Sequence, residues 1–75
     1  MLHQNSVIGL MQLTTQQTAD LCYAINQFGT GDHPWAGPGE VEYFDRGYAR
    51  ECVTYARDAN LAHAVRFTEL IDLLS

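Results

Sequence analysis

The fold is decided by residues 40–74, which read EVEYFDRGYARECVTYARDANLAHAVRFTELIDLL. This stretch contains no proline, and its apolar side chains recur at helical spacing. Pro38 suits the first turn of a helix, and Glu40 and Glu42 suit the positive end of a helix dipole. The pattern predicts helix throughout, and it favours one long helix, straight or kinked, over two helices broken near Asn60.

The C-terminal end of this stretch is apolar on almost every side. A single further helix of the same chain is too short to cover all of these faces. Each large apolar side chain that becomes fully buried contributes roughly 1.5–3 kcal/mol, which favours association with another chain. We therefore expect a homodimer, and its self-association surface is predicted to comprise Phe67, Leu70, Ile71 and Leu74.

A shorter helix is predicted over residues 15–28. Thr14 and Gln17 have the T-x-x-Q spacing of a capping box, in which each residue satisfies an amide of the other. Apolar side chains then recur at helical spacing, and Gly29 is typical of the left-handed residue that ends a helix. Residues 1–13 are expected to form a short helix or an extended arm. A strand is not favoured there, because no other segment shows the alternation of apolar and polar residues that a partner strand would have.

Residues 29–39, GTGDHPWAGPG, are predicted to form a loop between the two helical regions, because they hold four of the six glycines and both prolines. The chain is thus expected to form a single all-α domain over residues 1–75, a helical hairpin completed by dimerisation. Functional residues concentrate in the loops of small folds, so we expect a partner to bind here. The candidate partner-binding residues are Asp32, Trp35, Glu40, Glu42 and Tyr43.

Trp35 has two possible roles. A tryptophan in such a loop more often folds back over the helices and closes the edge of the core, and the sequence favours that role. The alternative is an exposed anchor for a partner, since tryptophan contributes strongly to binding at interfaces.

The charge distribution bears on the class of partner. The chain has nine acidic residues against four basic ones, none of them lysine, for a net charge of −5, and residues 1–45 contain no basic residue. Phosphate backbones and anionic lipids require clustered cations, so neither is favoured as a partner. The first apolar run is too short to span a bilayer and lacks the basic flank of a signal peptide, so we expect a cytoplasmic protein that meets a basic protein surface.

Site chemistry is not indicated by any motif. Cys22 and Cys52 form no C-x-x-C pair, and no two histidines or cysteines have the spacing of metal ligands on a helix. Cys52 and His63 share a helical region but are too far apart along it to touch. We therefore expect free thiols, no metal, no cofactor and no enzymatic activity.

These features together predict a small acidic helical module for protein–protein interaction, acting as a regulator, adaptor or inhibitor. Proteins of this size and character are often encoded by phages or mobile elements and act on a host protein, which is a second expectation. The alternative is a dimeric protein associated with nucleic acid, which would present an arginine face formed by Arg46, Arg50 and Arg57.

Overall fold

A computed structural model describes residues 7–9, 12–30 and 35–75 of the chain, and it confirms the all-α class. Helix α1 spans Thr15–Phe28, α2 spans Arg46–Ala59 and α3 spans Ala64–Leu74. Single turns of 3₁₀ helix, Val41–Tyr43 and Leu61–His63, precede α2 and α3. Within these described ranges there is no strand, and no helix has both the length and the apolar character needed to cross a membrane.

Helix α1 has the predicted bounds, and its capping box is confirmed. Thr14 Oγ1 accepts a hydrogen bond from the Gln17 amide at 3.0 Å, and Gln17 Oε1 accepts from the Thr14 amide at 2.9 Å. The prediction for Gly29 was wrong, because this residue is extended, with φ −70° and ψ 155°. Its amide still donates to the Ile25 carbonyl at 2.9 Å, which closes the helix without a left-handed residue.

The second helical region begins later than predicted. Residues 38–40 form a turn in which the Gly37 amide donates to Glu40 Oε1 at 2.6 Å, and α2 starts only at Arg46. Asp45 is its N-cap, since the Asp45 carboxylate accepts from the Tyr48 amide at 2.9 Å. A side-chain cap of this kind satisfies an amide that the first turn of a helix leaves free.

A break at Asn60 replaces the single long helix that the sequence favoured. Asn60 has φ −134° and ψ 66°, and its side-chain amide donates to the Ala56 carbonyl at 2.8 Å and to the Tyr23 hydroxyl at 3.0 Å. Asparagine competes with the helix in this way because its side chain offers the backbone another partner. The described residues therefore form three α-helices, which matches the less favoured alternative of two helices broken near Asn60 rather than one long helix.

This break changes what covers the C-terminal helix. Helix α2 packs against both α1 and α3, and the largest fully buried side chains come from all three helices: Leu21, Ile25, Val53, Leu70 and Leu74. Phe67 is also buried and lies against Tyr23, with ring centroids 6.4 Å apart.

The self-association surface was thus placed wrongly. Phe67, Leu70 and Leu74 are 0–2% exposed within one chain, and Ile71 is half-buried against the same core. The prediction treated residues 40–74 as one long helix that the short helix alone could not cover, whereas the break at Asn60 lets α3 pack back against α2. Dimerisation itself stays a prediction, now without this surface to drive it.

An ion pair joins α1 to α3. Arg66 Nε lies 2.7 Å from Asp20 Oδ2, and Arg66 Nη2 donates to Asp20 Oδ1 at 3.1 Å. Gln16 adds a third donor to Asp20 at 3.0 Å, and the Arg66 guanidinium lies 5.5 Å from the centre of the Phe67 ring. Asp20 is buried, so these donors replace the water that its carboxylate gives up.

Residues 7–9 of the N-terminal segment form an isolated antiparallel bridge followed by a turn, not a helix. The Ile8 amide donates to the Phe44 carbonyl at 3.0 Å, and the Gly9 amide donates to the Glu42 carbonyl at 2.9 Å. Ile8 is buried in the core, and Gly9 turns the chain away with a φ of 63°, a conformation that favours glycine. The bridge formed here, Val7 with Asp45, was not foreseen from the alternation of side chains.

Candidate partner-binding site

Two aromatic side chains project from the segment between α1 and α2. Trp35 and Tyr43 are each 73% exposed, the highest values among the aromatic residues that the structure describes. The favoured role of Trp35, closure of the core edge, was therefore wrong. The alternative role, an exposed anchor, matches its position.

A cleft of about 270 Å³ lies between these two side chains. Its lining is mostly apolar and includes Trp35, Ala36, Glu40, Tyr43 and Phe44. A second cleft, of about 340 Å³, lies on the α1 side of Trp35, against Cys22, Tyr23 and Asn26 among others. Trp35 is thus a ridge between two concave surfaces, which is a favourable shape for contact with another protein.

The backbone next to Trp35 is held by a pair of hydrogen bonds to Asn26. The Asn26 side-chain amide donates to the Ala36 carbonyl at 2.8 Å, and the Ala36 amide donates to Asn26 Oδ1 at 2.8 Å. Ala36 itself is 3% exposed, so its methyl group is seated in the core. Trp35 is therefore presented from a fixed point on α1.

Replacing Asn26 should release this attachment. Asn26→Ala removes both partners of the Ala36 backbone, which we expect to cost about 1–3 kcal/mol of unfolding free energy. The steady-state fluorescence anisotropy of Trp35, the only tryptophan, should fall below that of the wild type in the same step. Gln27→Ala, at an exposed neighbour, is the control and should change stability by less than about 0.5 kcal/mol. Equal anisotropy in the wild type and both variants would show that Asn26 does not position the tryptophan.

The start of the loop is also attached to a helix. The Thr30 amide donates to the Tyr48 hydroxyl at 2.9 Å, and that hydroxyl donates to the Thr30 carbonyl at 3.2 Å. The rings of Phe44 and Tyr48 stack with their centroids 6.1 Å apart. Because Phe44 lines the Trp35 cleft, Tyr48 contacts both the start of the loop and one side of the cleft. Loop and cleft thus share supports on both α1 and α2.

The predicted partner-binding residues are only partly brought together. Trp35, Glu40 and Tyr43, three of the five predicted residues, line one cleft. Glu42 is half-buried and lies instead beside Ile8 in a neighbouring depression. Asp32 lies outside the described residues.

Asn26, Ala36 and Phe44 complete the site and were not identified from the sequence. Asn26 stands on the α1 side that faces the loop, ten positions before Ala36, and no local pattern links the two. The one available sequence signal was a polar residue next to the apolar stripe of an otherwise regular amphipathic helix.

The arginine face predicted for nucleic acid is engaged within the chain. Arg46, Arg50 and Arg57 are all half-buried on α2. Their side chains donate respectively to the Val7 carbonyl, the Leu74 carbonyl and Asp58 Oδ1, each at 3.3 Å. Phosphate binding needs cations that project into solvent, so this arrangement does not favour the nucleic-acid alternative.

The two cysteines are free thiols, and each is shielded by the fold. Burial raises the pKa of the Cys52 thiol above its ordinary value of 9.0, and the nearby Glu51 carboxylate raises it further against the lowering effect of the Tyr48 hydrogen bond. Burial likewise raises the pKa of Cys22. Among the described residues, no three histidine, cysteine or acidic side chains lie close enough together to hold a metal ion.

These shifts predict how stability depends on pH. The folded chain holds the two thiol protons more tightly than the unfolded chain, so their contribution is complete below pH 9 and is lost as pH rises through the folded values. We expect the urea midpoint to fall as the pH rises from 9 to about 11. Cys52→Ala should show a smaller fall over the same interval, whereas an unchanged or larger fall would contradict the assignment to Cys52.

Similarity to known proteins adds no further assignment. No protein-family model matches this chain, and no curated protein or solved structure is significantly similar to it.

Proposed function

We propose that this chain is a small protein-binding module that acts as a regulator, adaptor or inhibitor, and that it binds its partner through the surface formed by Trp35, Tyr43 and the cleft between them. The observation that carries the proposal is the exposure of both rings, 73% each, on a support that is tied into the core. Leaving two large aromatic rings in water has no benefit to folding, whereas tryptophan and tyrosine are enriched among residues that dominate binding energy.

The rigid support strengthens the proposal. Binding costs less when the contacting side chains are already held in place, because less conformational freedom is lost. Ala36 is clamped on Asn26, and the Gly37 amide is bonded to Glu40 within the same turn. The segment that directly follows Trp35, residues 36–40, therefore needs little reorganisation when a partner arrives.

Affinity capture tests this proposal in cells of the organism that encodes the chain. Tagged wild type, Trp35→Ala and Tyr55→Ala would be compared, because Tyr55 is also exposed, at 55%, but lies on α2 outside the Trp35 cleft. We expect at least one protein that the wild type and Tyr55→Ala retain and Trp35→Ala loses. The same captured set for all three proteins would contradict the proposed surface.

The regulatory role on a host protein, of the kind a phage or mobile element would encode, is part of the proposal and depends on what is captured. A housekeeping enzyme or polymerase whose activity changes on addition of the purified chain would support it. A captured partner whose activity is unaffected would favour an adaptor.

A further inference from the structure

The cleft between Trp35 and Tyr43 combines aromatic walls with one carboxylate. Trp35, Tyr43 and Phe44 contribute rings, and Glu40 is the single charged residue of the described chain that lines it. The face of an aromatic ring is negative and attracts cations, most strongly for tryptophan. A carboxylate beside such rings adds to that attraction, so the chemistry of the cleft selects a cation.

The Glu40 carboxylate is held in position. Its Oε1 accepts from the Gly37 amide at 2.6 Å, and a Cβ atom added at Gly37 would lie only 3.2 Å from that oxygen. A carboxylate can accept about four hydrogen bonds in all, so Glu40 keeps capacity for a ligand after this one is made. Its charge is fixed at the cleft rather than carried on a mobile side chain.

We propose that the cleft binds the guanidinium group of an arginine side chain on a basic protein partner, an inference that rests on the proposed function. Guanidinium is planar and weakly hydrated, stacks on aromatic rings and pairs with a carboxylate through two donors, whereas ammonium does only part of this. Apart from Asp20, which is buried against Arg66, residues 1–45 contain four acidic residues and no basic one, which favours the approach of a basic surface.

The occupant is a protein side chain rather than a free small cation. Trp35 and Tyr43 are each 73% exposed, so a small ion in the cleft would leave much of both side chains in contact with water. A protein surface that supplies the arginine would cover these faces as well.

Trp35 itself reports on binding, because it is the only tryptophan in the chain. The probes are acetyl-Gly-Arg-Gly-amide, its citrulline counterpart, which is a neutral isostere of arginine, and ethylguanidinium as the free ion. We expect a saturable change in Trp35 emission, with the arginine peptide binding about fivefold or more tighter than the citrulline peptide. Equal binding of the two peptides, or no saturable change with arginine, would overturn the proposal. Tighter binding of ethylguanidinium than of the peptide would overturn the assignment to a protein side chain.

Two matched pairs of variants separate this site from general attraction to an acidic protein. Glu40→Gln and Glu51→Gln remove the same charge, and glutamine at residue 40 can still accept from the Gly37 amide. Tyr43→Leu and Tyr55→Leu each remove one exposed ring. We expect about fivefold weaker binding of the arginine peptide for Glu40→Gln and Tyr43→Leu, with the two controls unchanged. Equal losses within either pair would overturn the proposal.

The capture experiment distinguishes this inference from the proposed function. If Trp35→Ala loses a protein that the wild type retains while the arginine peptide does not bind, the surface binds a partner through other chemistry and only the arginine assignment fails. If Trp35→Ala also retains every captured protein, both the surface and its ligand are wrong.

Discussion

Leu70→Ala should lower the free energy of unfolding by about 3 kcal/mol. Leu70 is fully buried in α3. Its truncation to alanine would reduce the apolar surface buried on folding and would leave a cavity in the core. A chain of 75 residues has roughly 4–11 kcal/mol of total stability, so the loss is a large share of it. Thermal unfolding followed by circular dichroism should show a Tm at least about 12 °C lower.

Leu61→Ala is the matched control, because Leu61 is 76% exposed just before the same helix. Its stability should change by less than about 0.5 kcal/mol. Similar losses for the two variants would contradict the burial of α3 within one chain. The wild type should be run at several concentrations, because the Tm of a dimer rises with concentration. A sharp sedimentation mass of 8.4 kDa at micromolar concentration would remove the prediction of a homodimer.

Asp20→Asn should be the next most damaging substitution, lowering the unfolding free energy by about 2 kcal/mol. The asparagine keeps the shape of the side chain but removes the charge that pairs with Arg66 between α1 and α3. Breaking a fully buried pair costs about 3–5 kcal/mol, and the smaller value here reflects the Arg66 side chain, which is 37% exposed and can recover water. Urea unfolding gives the measurement.

The pair formed by Arg57 and Asp58 provides the control for this substitution. Their side chains are 33% and 66% exposed, so Asp58→Asn should cost less than about 0.5 kcal/mol. If Asp20→Asn and Asp58→Asn lowered the free energy of unfolding equally, the ion pair between α1 and α3 would contribute no more stability than an ion pair on the surface.

Helix α1 could be predicted from the sequence because its signals are local. The capping box joins Thr14 to Gln17, and the apolar stripe that follows needs only the helical repeat to be recognised. The break at Asn60 has a local part, its bond to Ala56, and a distant part, its bond to Tyr23 on α1. Only the local part is visible in the sequence, and it does not outweigh a proline-free run of helix formers.

The error at Asn60 led to the error about the C-terminal helix. An all-round apolar helix is exposed if the chain runs straight and buried if the chain folds back, and composition is the same in both cases. Trp35 presents a similar ambiguity, since its exposure depends on the bonds between Asn26 and Ala36. The aromatic and acidic residues of the site could be listed from the loop, but their shared cleft could not.

The most direct test of the proposed binding surface is the Kd of the captured partner, measured by calorimetric titration against wild type, Trp35→Ala and Tyr55→Ala. Substitution of an interface tryptophan that dominates binding costs about 2 kcal/mol or more, which corresponds to about a thirtyfold increase in Kd. We predict that increase for Trp35→Ala and an unchanged Kd for Tyr55→Ala. Wild-type affinity in Trp35→Ala, or an equal loss in Tyr55→Ala, would contradict the assignment of partner binding to the Trp35 and Tyr43 surface.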